Sequence, residues 1–208
     1  MELVLSTRNP HKLREFTELL RDHQVVPLPE EVVLPPETAT TFAGNAVEKA
    51  RVAAQATGRP AIADDSGIEA SALGGRPGVR SARYAGEQAT DEDNLAKLLA
   101  EVPAAGDRRV AYVCALAYAD PSGRTHVFEG RCKGQLAQTP RGDGGFGYDP
   151  AFIPDDEPGD RTMAELSPAE KDAISHRGRA ALQLLEWIDE LTSAEVDETA
   201  CSGVVNEG

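Results

Sequence analysis

The chain has 208 residues, 40% of them hydrophobic and 27% charged, with 21 Lys and Arg against 35 Asp and Glu for a net charge of −14. That length builds one large domain or two small ones around a sizeable core, and the charge argues against coating nucleic acid or lying on an anionic membrane. The longest apolar run, residues 110–119, is about half of a membrane span, and Met-Glu-Leu-Val-Leu-Ser at the start has no signal-peptide character.

Cys114, Cys132 and Cys201 are odd in number and lack C-x-x-C spacing, so they read as thiols of a reducing compartment. The expectation is a soluble cytoplasmic protein that holds any anionic ligand in a local basic pocket. Residues 193–208 contain Glu195, Asp197, Glu198 and Glu207 and no Lys or Arg. They read as an acidic, disordered tail behind a single domain over residues 1–192.

Leu3-Val4-Leu5 reads as a buried strand,. Pro10 suits the first turn of a helix, and Leu13, Phe16, Leu19 and Leu20 give residues 10–22 an amphipathic helical period,. Between them, Thr7, Arg8, Asn9, His11 and Lys12 form a polar loop at a helix N-terminus. Such a loop can cradle phosphate oxygens or be an ordinary capped connection. Residues 25–29 read as a second strand. Residues 29–41, with Pro29, Pro35 and Pro36, read as loop,.

The alanine-rich residues 42–56 read as helix, and residues 61–63 as a short buried strand ending at Asp64-Asp65-Ser66-Gly67. Side chains of adjacent strand residues point to opposite faces, so one carboxylate should face a site while the other is structural. The former would bind Mg²⁺ or act as a base, helped by an acid such as Glu37; the bland alternative is a turn cap. Arg76, Arg80 and Arg83 make a local basic excess over residues 74–84.

Thr90 and Asp93 announce a capping box for a helix over residues 91–101,. Residues 110–119 and 124–132 read as a hairpin. Phe146-Gly147-Tyr148-Asp149 lies in a glycine-rich loop over residues 140–149; its aromatics could clamp a flat base or plug the core edge. Ser167-Pro168-Ala169-Glu170 starts a helix, and residues 180–191 continue one,. At about 100° per residue, one unbroken helix cannot aim Lys171, His176 and Arg177 at one point. Sharing a site would require a break near residues 172–176, with Ser175 as a second cap. Early alternation of strands and helices followed by a hairpin predicts an α/β fold with a mixed sheet.

Taken in order, residues 6–16 (Ser-Thr-Arg-Asn-Pro-His-Lys-Leu-Arg-Glu-Phe), 41–50, 63–70, 74–86, 144–150 (Gly-Gly-Phe-Gly-Tyr-Asp-Pro) and 175–180 (Ser-His-Arg-Gly-Arg-Ala) resemble the inosine/xanthosine triphosphate pyrophosphatase family. The resemblance implies an elongated central mixed sheet flanked by helices, with the cleft between two lobes, in a homodimer. It implies hydrolysis of ITP, dITP and XTP to the monophosphate and pyrophosphate with Mg²⁺. Matched motif to motif, Thr7, Arg8, Asn9, Pro10, His11 and Lys12 would hold the triphosphate, and Asn45 and Lys49 would lie near the phosphates. Asp65 would be metal ligand and general base, with Ser66 touching substrate. Phe146, Gly147, Tyr148 and Asp149 would bind base and sugar, and Lys171, His176 and Arg177 the purine.

This chain departs from relatives in having Pro36-Glu37-Thr38-Ala39 for a Glu-Glu-Thr-Gly, Gly44 for a Glu and Ser71 for an Asp, which leaves Glu37 as the candidate second metal ligand. The alternatives carried forward are a pyrophosphatase for other modified nucleotides and a non-catalytic nucleotide-binding module.

Overall fold

The structure, a computed structural model, describes residues 1–202. A six-stranded mixed sheet in the order β2-β1-β3-β4-β5-β6 organises it. Its strands are β1 (Glu2–Leu5), β2 (Gln24–Pro27), β3 (Ala61–Ala70), β4 (Arg109–Ala119), β5 (Thr125–Leu136) and β6 (Phe152–Pro154). β1 pairs in parallel with β2 and β3, whereas β3, β4, β5 and β6 pair antiparallel. The helices are α1 (Pro10–Leu19), α2 (Phe42–Thr57), α3 (Asp91–Glu101), α4 (Pro168–Ile174) and α5 (His176–Ser202).

The long strands β3, β4 and β5 carry three apolar clusters. On one face of the sheet, Ala61 and Ala63 of β3 and Ala115 and Ala117 of β4 pack beneath Ala46, Ala50, Ala53 and Ala54 of α2. Small residues on both sides let helix and sheet approach closely. On the other face, Leu116 and Ile62 pack with Phe16 and Leu20 from α1 and its end, and with Leu184 and Ile188 of α5. The third cluster lies at the far end of the strands, where Ile68 and Leu136 meet Leu98 of α3, Phe152 and Met163. The cleft opens between that end and the α1–α2–α5 end.

Several element ends differ from those the sequence suggests. α1 stops at Leu19, because Leu20 leaves helical geometry and a tight turn through His23 is needed to lay β2 beside β1. β2 correspondingly covers Gln24–Pro27. β3 does not end at Asp64 but continues to Ala70, paired with β4 from Ala61↔Ala119 to Ala70↔Val110. Asp-Asp-Ser-Gly has turn composition, yet here each polar side chain finds a remote partner and the ladder runs on. β6, three residues ending in Pro154, carries too short a pattern to be legible.

The expected disordered tail is helical as far as Ser202. An existing helix extends without a new nucleation step, and residues 193–202 contain no Gly or Pro. Residues 203–208 of that tail lie outside the described residues. Cys114 and Cys132 are free and buried. No helix among the described residues is long and apolar enough to cross a membrane.

Two helix junctions follow the sequence closely. Thr90 and Asp93 form the capping box of α3, and Ser167 and Glu170 that of α4. Ser175 then breaks the helix in extended geometry, ending α4, and its hydroxyl accepts from Gly178 N–H in the first turn of α5.

Gly130 of β5 is where α5 lies on the sheet: a Cβ there would stand 1.9 Å from the His176 carbonyl oxygen and 2.8 Å from Ala180 N. Gly130→Ala should therefore push the start of α5 off the sheet and lower unfolding free energy by about 1–3 kcal/mol, read by urea titration. Unchanged stability would show that the helix seats without this contact.

Candidate active site

One cleft of about 290 Å³ draws residues from β3, β4, α1, α2, α3, α5 and four connecting segments. Thr7, Arg8, Asn9, Lys12, Glu37, Lys49, Asp65 and Ser66 line it together with Tyr112, Phe146, Gly147, Tyr148, Asp149, His176 and Arg177. His11, Asn45 and Lys171 each touch a lining residue, Phe146, Asp65 and Asp149 respectively, and Pro10 opens α1.

The strand alternation of β3 separates its two aspartates. Asp64 faces α1 and α5, fully enclosed, with Lys12 Nζ at 3.0 Å and Arg177 Nε at 3.3 Å. Burial disfavours its charge, but Lys12, Arg177 and Lys49 together hold its carboxyl well below the ordinary range,. Asp65 faces α2 and the cleft. Asn45 Nδ2 donates to Asp65 Oδ2 at 2.9 Å, while Asn45 Oδ1 accepts from Ala39 N–H. Lys49 Nζ stands 3.4 Å from Asp65 Oδ1, 2.8 Å from Glu37 Oε1 and 2.8 Å from the Asp64 carbonyl.

Burial, with Glu37 nearby, raises the Asp65 carboxyl despite Lys49 and Asn45. Glu37 shifts the other way: burial works against its charge, but Lys49 wins and holds it down. The two cleft carboxylates are thus driven apart in acidity, the pattern expected when one must be the base.

Arg177 is nearly enclosed, donating to Ser66 Oγ at 2.7 Å, Glu15 Oε2 at 3.1 Å and Asp64. Lys171 Nζ bridges Glu15 Oε1 and Asp149 Oδ2, both at 2.8 Å. Burial opposes its ammonium, yet Asp149 and Glu15 keep it protonated. Both cations lie over the Phe146 ring, at 5.0 Å for Lys171 and 5.2 Å for Arg177. The break at Ser175 brings Lys171 and Arg177, from different helices, to this common place.

Tyr112 donates its hydroxyl to Asp149 Oδ1 at 3.0 Å, and its ring stacks on His176 at 4.7 Å. Burial and the neighbouring Arg177 and Lys171 push the His176 pKa well down, leaving a neutral imidazole. Its Nδ1 has no hydrogen-bond partner among the described residues.

Four of the sequence-predicted side chains already have partners within the fold. The Arg8 guanidinium is taken up by the carbonyls of Leu28, Pro29, Glu30 and Val32. Asn9 Oδ1 accepts from the His11 and Lys12 N–H groups, so its side chain caps α1 and occupies donors otherwise open to phosphate. The His11 ring is stacked on Phe146 at 4.9 Å. Tyr148 donates its hydroxyl to the Ser81 carbonyl at 2.7 Å, and the residue is buried at the core edge.

Glu15, Tyr112, Ser81 and Asp91 were not singled out from sequence. Glu15 alone carried a usable signal, as an acid one turn after Lys12 and adjoining buried Phe16. The departures at Gly44 and Ser71 have a structural account. A Cβ at Gly44 would stand 2.7 Å from Ala39 Cβ, so no Glu fits there without moving the loop. Ser71 is exposed and lines a separate surface hollow beside Arg109 and Arg131.

The Ham1 family model matches residues 3–187, and the chain belongs to that family. A dITP/XTP pyrophosphatase of Geobacillus kaustophilus is 47% identical over 200 residues, which cover 93% of this chain and 97% of the relative. A HAM1 protein from Coxiella burnetii superposes with a TM-score of 0.81 at 43% identity, over 91% of this chain and 99% of that one. The Staphylococcus aureus Ham1 protein does so with a TM-score of 0.82 at 40% identity and the same coverage.

The buried neutral His176 makes a pH prediction. Its folded pKa lies below the ordinary value of 6.5, so on acidification the unfolded chain takes up a proton that the folded one refuses. Stability from this group is therefore lost as pH falls from 7 towards 5, with a slope approaching about 1.4 kcal/mol per pH unit. Urea titrations of wild type and His176→Gln should show the wild type losing ground as pH falls. A pH-independent difference would place the charge change elsewhere.

Proposed function

We propose that the chain hydrolyses the deaminated purine nucleoside triphosphates ITP, dITP and XTP to the nucleoside monophosphate and pyrophosphate. The observation that carries this reading is the make-up of one cleft. Lys12, Lys49 and two carboxylates of unequal acidity line it, and so do Phe146, neutral His176 and Arg177. A triphosphate needs the first chemistry and an oxo-purine the second. The relatives named dITP/XTP pyrophosphatase, from Geobacillus kaustophilus and Desulfotalea psychrophila among others, support it.

Lys12 and Lys49 would move from Asp64, Asp65 and Glu37 to phosphate oxygens as substrate enters, exchanging one anionic partner for another. Thr7 and Ser66 offer hydroxyls nearby. Asp65, oriented by Asn45 and raised in pKa, would take the proton of the water that attacks the α-phosphorus in line with departing pyrophosphate.

The donor set fits Mg²⁺. Glu37 and Asp65 present hard oxygens that already converge on one cation, the Lys49 ammonium. Among the described residues no group of three or more His, Cys, Asp or Glu converges as a metal cage, in keeping with an ion that takes one or two carboxylates plus substrate phosphates. When bound, Mg²⁺ would withdraw charge from the triphosphate. Glu37 and Asp65 would hold it.

For the base, Phe146 would give a stacking face in exchange for one of its present ring partners, His11 or the Lys171 and Arg177 cations, and His176, Arg177 and Lys171 would supply donors suited to the 6-oxo acceptor shared by hypoxanthine and xanthine. A 6-amino group would leave buried donors unpaired, a penalty that can reject the wrong base by about 10⁴-fold. Asp149, held by Tyr112 and Lys171, would orient the base and sugar. The working protein is proposed to be a cytoplasmic homodimer.

Pyrophosphate release from ITP, dITP, XTP, ATP and GTP with Mg²⁺ tests the reading. Selective turnover of the first three is expected, with kcat reduced by about 10²–10⁴-fold in Asp65→Asn and nucleotide binding retained. Binding without turnover in the wild type would instead identify a nucleotide-binding module. Equal turnover of ATP would leave the phosphate chemistry standing and remove the role given to the donors for the base.

A further inference from the structure

The segment between β2 and α2 has no regular structure over residues 28–41, yet it delivers Leu34 and Glu37 to the cleft. Prolines at 27, 29, 35 and 36 remove four backbone donors from the segment and its entry,. Among the described residues the backbone-to-backbone bond closing residues 28–32 is Val32 N–H to the Pro29 carbonyl. Leu28 and Val32 anchor the underside of this loop in the apolar cluster beneath α2.

What gathers its carbonyls is Arg8. Nη1 donates to Leu28 O at 2.7 Å, and Nη2 approaches Pro29 O at 2.7 Å, Glu30 O at 3.2 Å and Val32 O at 2.8 Å. Arg8 sits between Thr7 and Asn9, whose neighbours reach the cleft. One guanidinium therefore ties together two loops beyond the point where the β1–β2 ladder ends, at Leu5↔Pro27.

We propose that Arg8 is a positioning residue that fastens residues 28–32 to the phosphate-side loop and thereby fixes Glu37 at the cleft. The transmission is mechanical. From Val32, held by Arg8, the chain reaches Glu37 through Pro35-Pro36, whose fixed φ angles leave few ways to absorb a displacement. The proposal rests on Glu37 as the second Mg²⁺ ligand, so a loosened loop should weaken the metal requirement's fit rather than the attack on phosphorus. An ammonium cannot replace the fork, because its donors radiate from one point while the carbonyls are spread along a loop.

The test uses the full chain and the variants Arg8→Met, Arg8→Lys, Glu37→Gln and Arg8→Met with Glu37→Gln. Hydrogen exchange of substrate-free protein should accelerate about tenfold over residues 28–38 in Arg8→Met, with β3 unchanged. The Mg²⁺ concentration giving half-maximal pyrophosphate release from dITP should rise about tenfold, with kcat at saturating Mg²⁺ within about twofold of wild type. Arg8→Lys should recover only part of both effects, and Arg8→Met should add nothing in the Glu37→Gln background.

Unchanged loop exchange in Arg8→Met would overturn the proposal, as would faster exchange with an unmoved Mg²⁺ requirement. A different result separates the underlying reading: if Glu37→Gln alone leaves the Mg²⁺ requirement unmoved, Glu37 is not a ligand and the route through it falls.

Discussion

Two adjacent carboxylates in the middle of a buried strand set the terms for the rest of this structure. Asp64 and Asp65 sit where ladder geometry sends their side chains to opposite faces, and neither side chain is more than 8% exposed. Burying a carboxylate is costly unless a cation and hydrogen bonds accompany it. The cations come from three different helices: Lys12 from α1, Arg177 from α5 and Lys49 from α2. Helices on both faces of the sheet are thus anchored to the same two residues of β3, and the cleft is the space where those anchors meet.

The same arrangement explains how a chain of charge −14 can receive a highly anionic ligand. Its buried cations are present at full charge but already neutralised by Glu15, Glu37, Asp64, Asp65 and Asp149. On the proposed reading a triphosphate arriving there would exchange partners with groups whose desolvation cost has been met in folding, which is the sense in which such a site is preorganised.

Local signals were legible and remote ones were not. The capping boxes at Thr90 and Ser167, and the break that had to fall near Ser175, depend on residues a few positions apart, so spacing alone exposed them. The opposite facing of Asp64 and Asp65 followed from strand geometry, although the strand itself ran past its apparent end. What spacing could not reveal were partners set by tertiary approach: Glu15 beneath Arg177, Tyr112 between Asp149 and His176, and Arg8 turned toward residues 28–32. Arg8 looked like a phosphate ligand because charge beside a helix N-terminus ordinarily has no other visible use. The carbonyls that claim it lie twenty or more positions away.

Ser175 has a consequence beyond bringing two cations together. It is at once the last residue before one helix stops and the cap of the next, with no spacer in which a length change could be absorbed. One extra residue there would turn everything after it by about 100°, carrying Arg177 off Asp64 while leaving Lys171 in place. In this family member the α4–α5 joint should be a point where insertions and deletions are not accommodated, a length constraint imposed by two ion pairs.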